Sequence, residues 1–407
     1  MNKPLYFVSL ALGTVALPLS AQAGNLVDLI PGLYGGDGIT LMPTDNPNFP
    51  SHEAHFTLEE GAEVIQEVIE LNNQIASEIR PFPVAPSSGG VTYQFDPEQG
   101  TYRQTSDTLG PFIAARPQTL GQGKLSLSVA YLNFQYDEFE GTDLSKLRAR
   151  FLHEPDTLDP TDVRTSFETD VINVVYDVDL RFESLAIAAT YGLTDKLDLT
   201  AIVPFVHAKM DVDATASIER GDDNNIPVDV HIFDATGESP LDSGSGSASG
   251  LGDITLAAKY YWVDAPNYDL AAALKVKLET GDEEDFLGTG STTATPYLIG
   301  AYDLSEMVKL HANVGLEFDF EDSDRNEFQY VVGTDIGNQT YTFAADIIGR
   351  HKLSSDVDIG ENIIDAAVGL KWRATDNLLL AANLIFPLND DGLRSDLITA
   401  IGLEYRN

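Results

Sequence analysis

Residues 250–281, GLGDITLAAKYYWVDAPNYDLAAALKVKLETG, hold two runs of strict alternation joined by the turn Asp264-Ala265-Pro266-Asn267. In the first run Ile254, Leu256, Ala258, Tyr260 and Trp262 share one face, and Thr255, Ala257, Lys259 and Tyr261 share the other. In the second, Leu270, Ala272, Leu274, Val276 and Leu278 oppose Ala271, Ala273, Lys275, Lys277 and Glu279. A period of two predicts β-strand, because successive side chains point to opposite faces. These runs exceed the usual strand of roughly 5–6 residues. They match the roughly 9–11 residues with which a tilted strand crosses a bilayer. One face suits lipid and the other a lumen.

Twelve such runs follow Lys124, near 124–137, 173–193, 197–214, 250–263, 268–281, 291–303, 307–320, 326–336, 339–350, 361–373, 377–388 and 394–405. Alternate connections are short: 194–196, 264–267, 303–306, 337–338 and 374–376. The others are mostly longer, as at 138–172 and 215–249. Short periplasmic turns alternating with longer external loops mark an outer-membrane barrel. An even strand number places both barrel ends in the periplasm. The predicted fold is therefore all-β: a transmembrane antiparallel up-and-down β-barrel of about 12 strands, with an N-terminal segment containing one helix. Outward aromatics gather at both ends. Tyr191, Tyr260, Trp262, Trp372 and Tyr405 lie near the turns, and Phe205, Phe318, Phe328 and Phe386 near the loops. Such girdles mark membrane interfaces.

One hairpin departs from the pattern. In 173–193 the apolar positions are even up to Phe182 and odd from Leu185; in 197–214 they are odd up to Phe205 and even from Val206. Either paired bulges or a ribbon projecting beyond the membrane accounts for the switch.

Ahead of the barrel, residues 1–23 read as a cleaved signal peptide, with Lys3, an apolar core from Leu5 to Leu19, and the small-residue site Ala21-Gln22-Ala23. Residues 24–115 form an N-terminal periplasmic or plug segment, and 116–407 the barrel. Within the segment, Val64, Val68, Leu71, Ile75 and Ile79 recur at helical spacing. They predict a helix over 57–79, opened by a Thr57/Glu60 capping box and stopped by Pro81. Val91 to Arg103 predicts a small hairpin, and Ser243 to Gly252 a Gly-rich loop leading into a strand.

Composition narrows the function. The chain has no Cys, so disulfides, thiolate chemistry and lipid anchoring through cysteine are excluded. Its net charge of -40 argues against nucleic acid. Acidic runs in predicted external loops suit bridging by divalent cations to lipopolysaccharide, or plain solvation. None of the seven histidines sits in a catalytic motif, so no catalytic residue, metal site or cofactor is assigned.

The inward faces carry the remaining signal. Lys259, Lys275, Lys277, Lys309, His311, Glu317, Asp365, Lys371 and Arg373 are all predicted to face the lumen. Lys259, Lys309, Lys371 and Arg373 fall in its periplasmic half. Their charge complements the acidic helix, which carries Glu59, Glu60, Glu63, Glu67 and Glu70 and no base. The sharp expectation is that this helix enters from the periplasm and plugs the lumen; the alternative is a helix lying below the barrel.

The stretch ATYGLTDKLDLTAIVP at 189–204, with Gly250-Leu251-Gly252-Asp253 and Leu287-Gly288-Thr289-Gly290, resembles a family of outer-membrane transporters linked to the meta-cleavage pathway of phenol degradation. The resemblance covers about 110–405. It implies a β-barrel channel in the outer membrane of a Gram-negative bacterium. Small-molecule solutes fit that channel, while the barrel reading itself predicts lipid and lipopolysaccharide as surroundings and insertion by the barrel-assembly machinery. The expected function is passive or gated diffusion of small, hydrophobic or aromatic solutes without covalent chemistry. A barrel enzyme of phospholipase type, or a structural or adhesive barrel acting through its acidic loops, are the alternatives.

Overall fold

A computed structural model describes residues 25–33, 41, 56–58, 75, 93–96, 101–104, 108–153, 170–220, 232–233, 241–354 and 359–406. Twelve antiparallel strands close into a barrel. They are β1 (Leu125–Tyr136), β2 (Val171–Thr194), β3 (Leu197–Glu219), β4 (Thr255–Asp264), β5 (Tyr268–Lys277), β6 (Thr293–Ser305), β7 (Val308–Asp319), β8 (Glu327–Gly337), β9 (Tyr341–Lys352), β10 (Asn362–Arg373), β11 (Leu378–Pro387) and β12 (Ile398–Arg406). Each pairs with its neighbour, and β12 pairs back onto β1 from Thr399↔Asn133 to Arg406↔Ser126. Closure leaves no free edge, as a sheet in hydrocarbon requires.

Connections of two to four residues join β2–β3, β4–β5, β6–β7, β8–β9 and β10–β11. This turn end also holds the start of β1 and the end of β12. All long connections lie at the opposite, loop end. By the rule for such barrels the turn end faces the periplasm and the loop end the outside. A belt of exposed apolar side chains rings the wall, including Leu256, Leu298, Val332, Val368 and Ile401. Tyr341 stacks on Trp372 at the turn end, with ring centroids 6.4 Å apart.

β2 and β3 have 24 and 23 residues, against nine to thirteen for the rest. At about 3.3 Å per residue they outrun a bilayer roughly 30 Å thick. Their pairing runs unbroken from Val171↔Glu219 to Gly192↔Asp198, so the hairpin projects and contains no bulge at the switch. Even-numbered residues of β2 face inward along its whole length: Ile172, Val174, Tyr176, Val178, Leu180 and Phe182, then Ala186, Ala188 and Thr190. Only the surroundings change. Outside the membrane, the outer face carries Asp177, Asp179, Arg181 and Glu183; within it, Leu185, Ile187 and Tyr191. The border on this hairpin therefore lies between the register pairs Glu183↔His207 and Leu185↔Phe205.

Two further strands extend the projecting wall. Leu147–His153 pairs with the upper part of β2, and Leu241–Leu251 with the upper part of β3. Both were expected to be loop. The second replaces the Gly-rich loop expected at Ser243 to Gly252, although Gly and Ser are poor strand formers. Its small residues answer a packing need. A Cβ on Gly246 would lie 2.7 Å from Leu26 Cδ2, and one on Gly244 3.4 Å from Leu33 Cδ2. The N-terminal residues lie flat against this strand as a short 3-10 turn, Leu26–Asp28, and one helical turn, Leu29–Gly32. One apolar core runs from Phe134, Tyr136 and Phe182 up through Val178, Met210 and Phe286 to Leu26, Ile30, Leu33, Leu41 and Ile75. The projecting strands are thus a water-exposed cap with a dry interior.

The helix expected over 57–79 starts differently. Thr57 and Leu58 lie in a strand, Phe56–Leu58, which pairs with Phe151–His153 at the edge of the cap. An exposed strand edge there accepts a partner more readily than it faces water. Thr57 is therefore at the loop end, not at a periplasmic entrance. Ile75 is helical and fully buried. Glu59, Glu60, Glu63, Glu67 and Glu70 lie outside the described residues. The small hairpin appears as Tyr93–Asp96 paired with Thr101–Gln104.

Candidate functional site: the lumen, its floor and its clasp

Residues 108–123, TLGPFIAARPQTLGQG, fold back into the turn end of the barrel before β1 begins, and most of their side chains are buried. Their backbone polar groups need partners there. The inward side chains of the wall supply them. Lys259 Nζ donates to the carbonyl oxygens of Arg116, at 2.9 Å, and Gln118, at 2.6 Å. Lys371 Nζ donates to the carbonyl of Pro111 and lies 6.0 Å from the Phe112 ring centroid. The amide of Leu109 donates to Thr342 Oγ1, at 2.8 Å, and that of Leu120 to the buried Asp198 carboxylate, at 3.1 Å. The Thr108 hydroxyl donates to Asp335, and Gln118 Nε2 to Asp269. Asn313 brackets Ala115, donating to its carbonyl at 3.0 Å and accepting from its amide at 2.6 Å. Phe112 sits over Gly402, whose Cβ would approach the ring within 3.1 Å.

This is a floor. Lys259 and Lys371 point inward, and their ammonium groups donate to carbonyls of residues 108–123; Lys259 also stands 3.9 Å from Asp198. Lys309 pairs with Asp303 at the turn end. Arg373 follows Lys371 by two positions on β10, at the turn-end rim. His311 is buried between two carboxylates, Nδ1 towards Asp335 at 3.3 Å and Nε2 towards Asp346. Asp335 also accepts from Thr108, so the histidine and the floor share one acid.

Above the floor lies a cavity of about 220 Å³. One wall is a polar belt on β5 to β8. Lys275 Nζ is 3.6 Å from Glu317 and donates to the Tyr297 hydroxyl at 3.3 Å. Tyr297 reaches Gln329, whose Nε2 donates to Glu317 at 3.1 Å, and Thr295 donates to the same carboxylate at 3.1 Å. The Tyr297 ring lies across Gly315, where a Cβ would be 2.5 Å from it. The other wall is mostly apolar, with Phe134, Tyr136, Ile202, Ile348, Ile385 and Leu393, interrupted by Arg350 and Arg394, and Ile113 also lines the cavity. Asp365 also borders the cavity and pairs with the buried Arg394.

At the loop end Asp253 ties two glycine-rich stretches together. Its Oδ1 accepts from the amides of Thr280 and Gly281, at 3.1 and 3.0 Å; its Oδ2 accepts from the amide and hydroxyl of Thr289, at 2.9 and 2.8 Å. Lys277 Nζ donates to the Thr289 hydroxyl and stands 4.0 Å from Asp253. A Cβ on Gly281 or Gly288 would meet the facing backbone within 2.7 Å, so this crossing needs glycine at both positions. The clasp places Phe286 in the cap core. It also presents Glu284 and Asp285 to the N-terminus: Val27 N donates to the Glu284 carbonyl at 3.0 Å, and Leu26 N to Asp285 Oδ1 at 3.4 Å.

Sequence reasoning found the inward charges and the two glycine motifs. It missed the floor and the acid that joins the motifs. A signal for the floor was present: from Thr108 to Tyr136 a chain of net charge -40 carries no acid at all.

Residues 148–392 match the family model described as "Putative MetA-pathway of phenol degradation". The chain belongs to this family. The matched region starts in the first cap strand and ends in the last external connection, so the GLGD–LGTG clasp lies wholly within the phenol-degradation family's segment. A search of curated proteins finds no match. Among solved structures, the chain is similar to an outer-membrane channel from Pseudomonas putida F1, at 14% identity, covering 71% of this chain and 97% of that one, with a TM-score of 0.46. It is also similar to the P. putida toluene transporter TodX, at 12% identity, 74% and 95% coverage and a TM-score of 0.36. The monoaromatic hydrocarbon channel CymD gives 9% identity, 72% and 91% coverage and a TM-score of 0.36.

Proposed function

We propose that this outer-membrane barrel is a gated diffusion channel for small, partly hydrophobic solutes. The observation that carries the reading is the two-faced cavity in a closed barrel. An apolar wall accepts a ring or short alkyl chain by removing its surface from water, at about 25 cal/mol per Å². The opposite belt of Lys275, Tyr297, Glu317 and Gln329 offers donors and acceptors to one polar substituent. Phenols and related aromatics have this build, in keeping with the family's description. Lumen width and charge then set selectivity, and no covalent chemistry is part of this function. Residues 1–23 direct export, residues 24–115 form the segment that occludes the pore, its end entering the floor, and residues 116–407 form the barrel. Lipid, lipopolysaccharide bridged by divalent cations to acidic loops, and the barrel-assembly machinery are its proposed surroundings.

The test compares uptake of a phenol with that of a sugar of similar size, using liposomes that hold the mature chain. Faster phenol entry, reduced by Tyr297→Phe and by Ile348→Asp, is expected. Equal rates for both solutes, or none for either, would remove the reading.

A further inference from the structure

We infer that the N-terminal residues 25–33 are a stopper held at the outer mouth of the barrel. The inference rests on the channel reading for what the stopper controls, but not for where it sits. The residues just before β1 occupy the turn end: Gly123 N donates to the Gly192 carbonyl at 2.8 Å, beside the β2–β3 turn. The beginning of the described chain occupies the other end. Val27 and Leu26 bond the 278–292 connection, and Leu26, Leu29 and Leu33 cover Gly244 and Gly246 of the cap strand. One polypeptide therefore reaches both ends of the barrel before the barrel's first strand begins.

The two attachments differ in kind. The floor is fixed by buried hydrogen bonds to Lys259, Lys371, Asp198, Asp335, Thr342 and Asn313. The outer attachment is largely apolar: Leu26, Ile30 and Leu33 sit in the cap core, and Leu26, Leu29 and Leu33 cover Gly244 and Gly246, while among the described residues Asn25, Leu26 and Val27 hydrogen-bond Glu284 and Asp285. A contact of that kind is released by anything that competes for the apolar surface. A small hydrophobic solute arriving from outside is such a competitor, and the cap interior it meets continues to Phe134 and Tyr136 on the cavity wall. The outer attachment is the movable one, and the floor is its anchor.

The glycines allow a specific test. The backbone at Gly246 is an ordinary extended strand, so a side chain there strains nothing locally; its Cβ simply meets Leu26. Gly246→Val is expected to expel the stopper, and Leu26→Ala in the same chain to let it return. Position is read first. The chain has no cysteine, so Asp28→Cys gives a single thiol at an exposed site. A membrane-impermeant maleimide should label it on intact cells, as it labels Asp324→Cys in an external connection. Asp376→Cys at the turn end should react only after permeabilisation. Asp28→Cys labelled only after permeabilisation would overturn the inference outright.

Control is read second, by conductance in planar bilayers. Gly246→Val, or deletion of 25–33, should raise conductance several-fold, and Leu26→Ala should restore the low level in the Gly246→Val chain. Surface labelling without any conductance change in either variant would leave a surface-docked segment that stops nothing, and the stopper would be refuted. If no form conducts while Asp28→Cys labels from outside, the channel reading fails and the stopper with it, though the placement stands. Heat-modifiable migration on gels confirms that each variant is a folded barrel.

Discussion

Two stretches of the same hairpin have the same backbone, the same register and the same inward face, yet opposite outsides. Between Val171 and Glu183, β2 buries large residues and shows acids and an arginine to water. Between Leu185 and Tyr191 it buries alanines and threonine and shows large apolar residues to lipid. A soluble sheet and a membrane sheet are thus continuous in one strand. The solvent outside decides which face carries the hydrophobic mass. In water the only dry place is the interior, so the cap is packed and closed. In lipid the exterior is already apolar, so the interior is freed for small side chains, a chain-filled floor and a cavity.

The largest expected effect breaks the packed half. Phe182 is 1% exposed, stacks on Phe134 at a centroid distance of 5.6 Å and meets Tyr136 edge-on at 5.7 Å. Phe182→Ala should cost about 3–5 kcal/mol, the usual range for emptying a core aromatic site. Equilibrium unfolding by urea in detergent micelles measures it. A cost below about 1 kcal/mol would mean that the cap is not a tight core.

The next pair of substitutions locates the border directly. Ile187 and Val175 both point outward on β2, at 42% and 38% exposure. Ile187→Lys places a charge in hydrocarbon and should cost about 2–4 kcal/mol, as lipid-facing charges in such barrels do. Val175→Lys places the same charge in water and should stay within about 0.5 kcal/mol. Equal costs would show that the cap lies in the membrane, or that the lower wall does not.

The alternation of β1 to β12 was legible because the membrane part of each strand meets lipid on one side, where the outward set is mostly apolar; β2 and β3 change phase where they leave it. The strand Leu241–Leu251 was not legible, since SGSGSASG has no hydrophobic pattern; its pairing is set by β3 and by the leucines of the N-terminus, about 200 positions away. The switch in β2 was visible as a phase change. Sequence alone could not choose between a shifted backbone and a changed solvent, because both invert the same pattern. For the lumen, period two predicts Lys259, Lys275, Lys277, Lys309, His311, Glu317, Asp365, Lys371 and Arg373 on inward faces, and Lys259, Lys277, Lys309, His311, Glu317 and Lys371 are buried in the structure. Two of the partners leave no complementary residue in the sequence, because Lys259 and Lys371 donate to backbone carbonyls of the floor. The floor's contacts are silent in the sequence for the same reason.

A third substitution tests the floor against the cap. Lys259→Met keeps the apolar stem and removes the ammonium that binds the Arg116 and Gln118 carbonyls. It also removes the cation 3.9 Å from buried Asp198. Leaving buried acceptors unsatisfied costs about 1–3 kcal/mol. The loss should fall on the floor alone: faster proteolysis near Arg116 from the turn end, with the cap unfolding as before. Loss of both together would mean that floor and cap form one cooperative unit.

The smallest effect concerns the outer face of the cap, where charge meets water. Arg181 Nη2 lies 2.8 Å from Asp179, and the two side chains are 57% and 36% exposed. Exposed pairs of this kind contribute little, and salt screens them. Arg181→Ala should therefore leave stability nearly unchanged, and still less altered at 1 M salt. The substitution is informative because Arg181 is only one outward step from Glu183, the last charged residue before lipid. Were the border one step nearer the loops, Arg181 would lie among headgroups, where an arginine binds phosphate. Its removal would then weaken retention in anionic membranes far more than in zwitterionic ones. Equal retention in both lipids, with the small loss in micelles, keeps the border between Glu183 and Leu185, where the change of outer face places it.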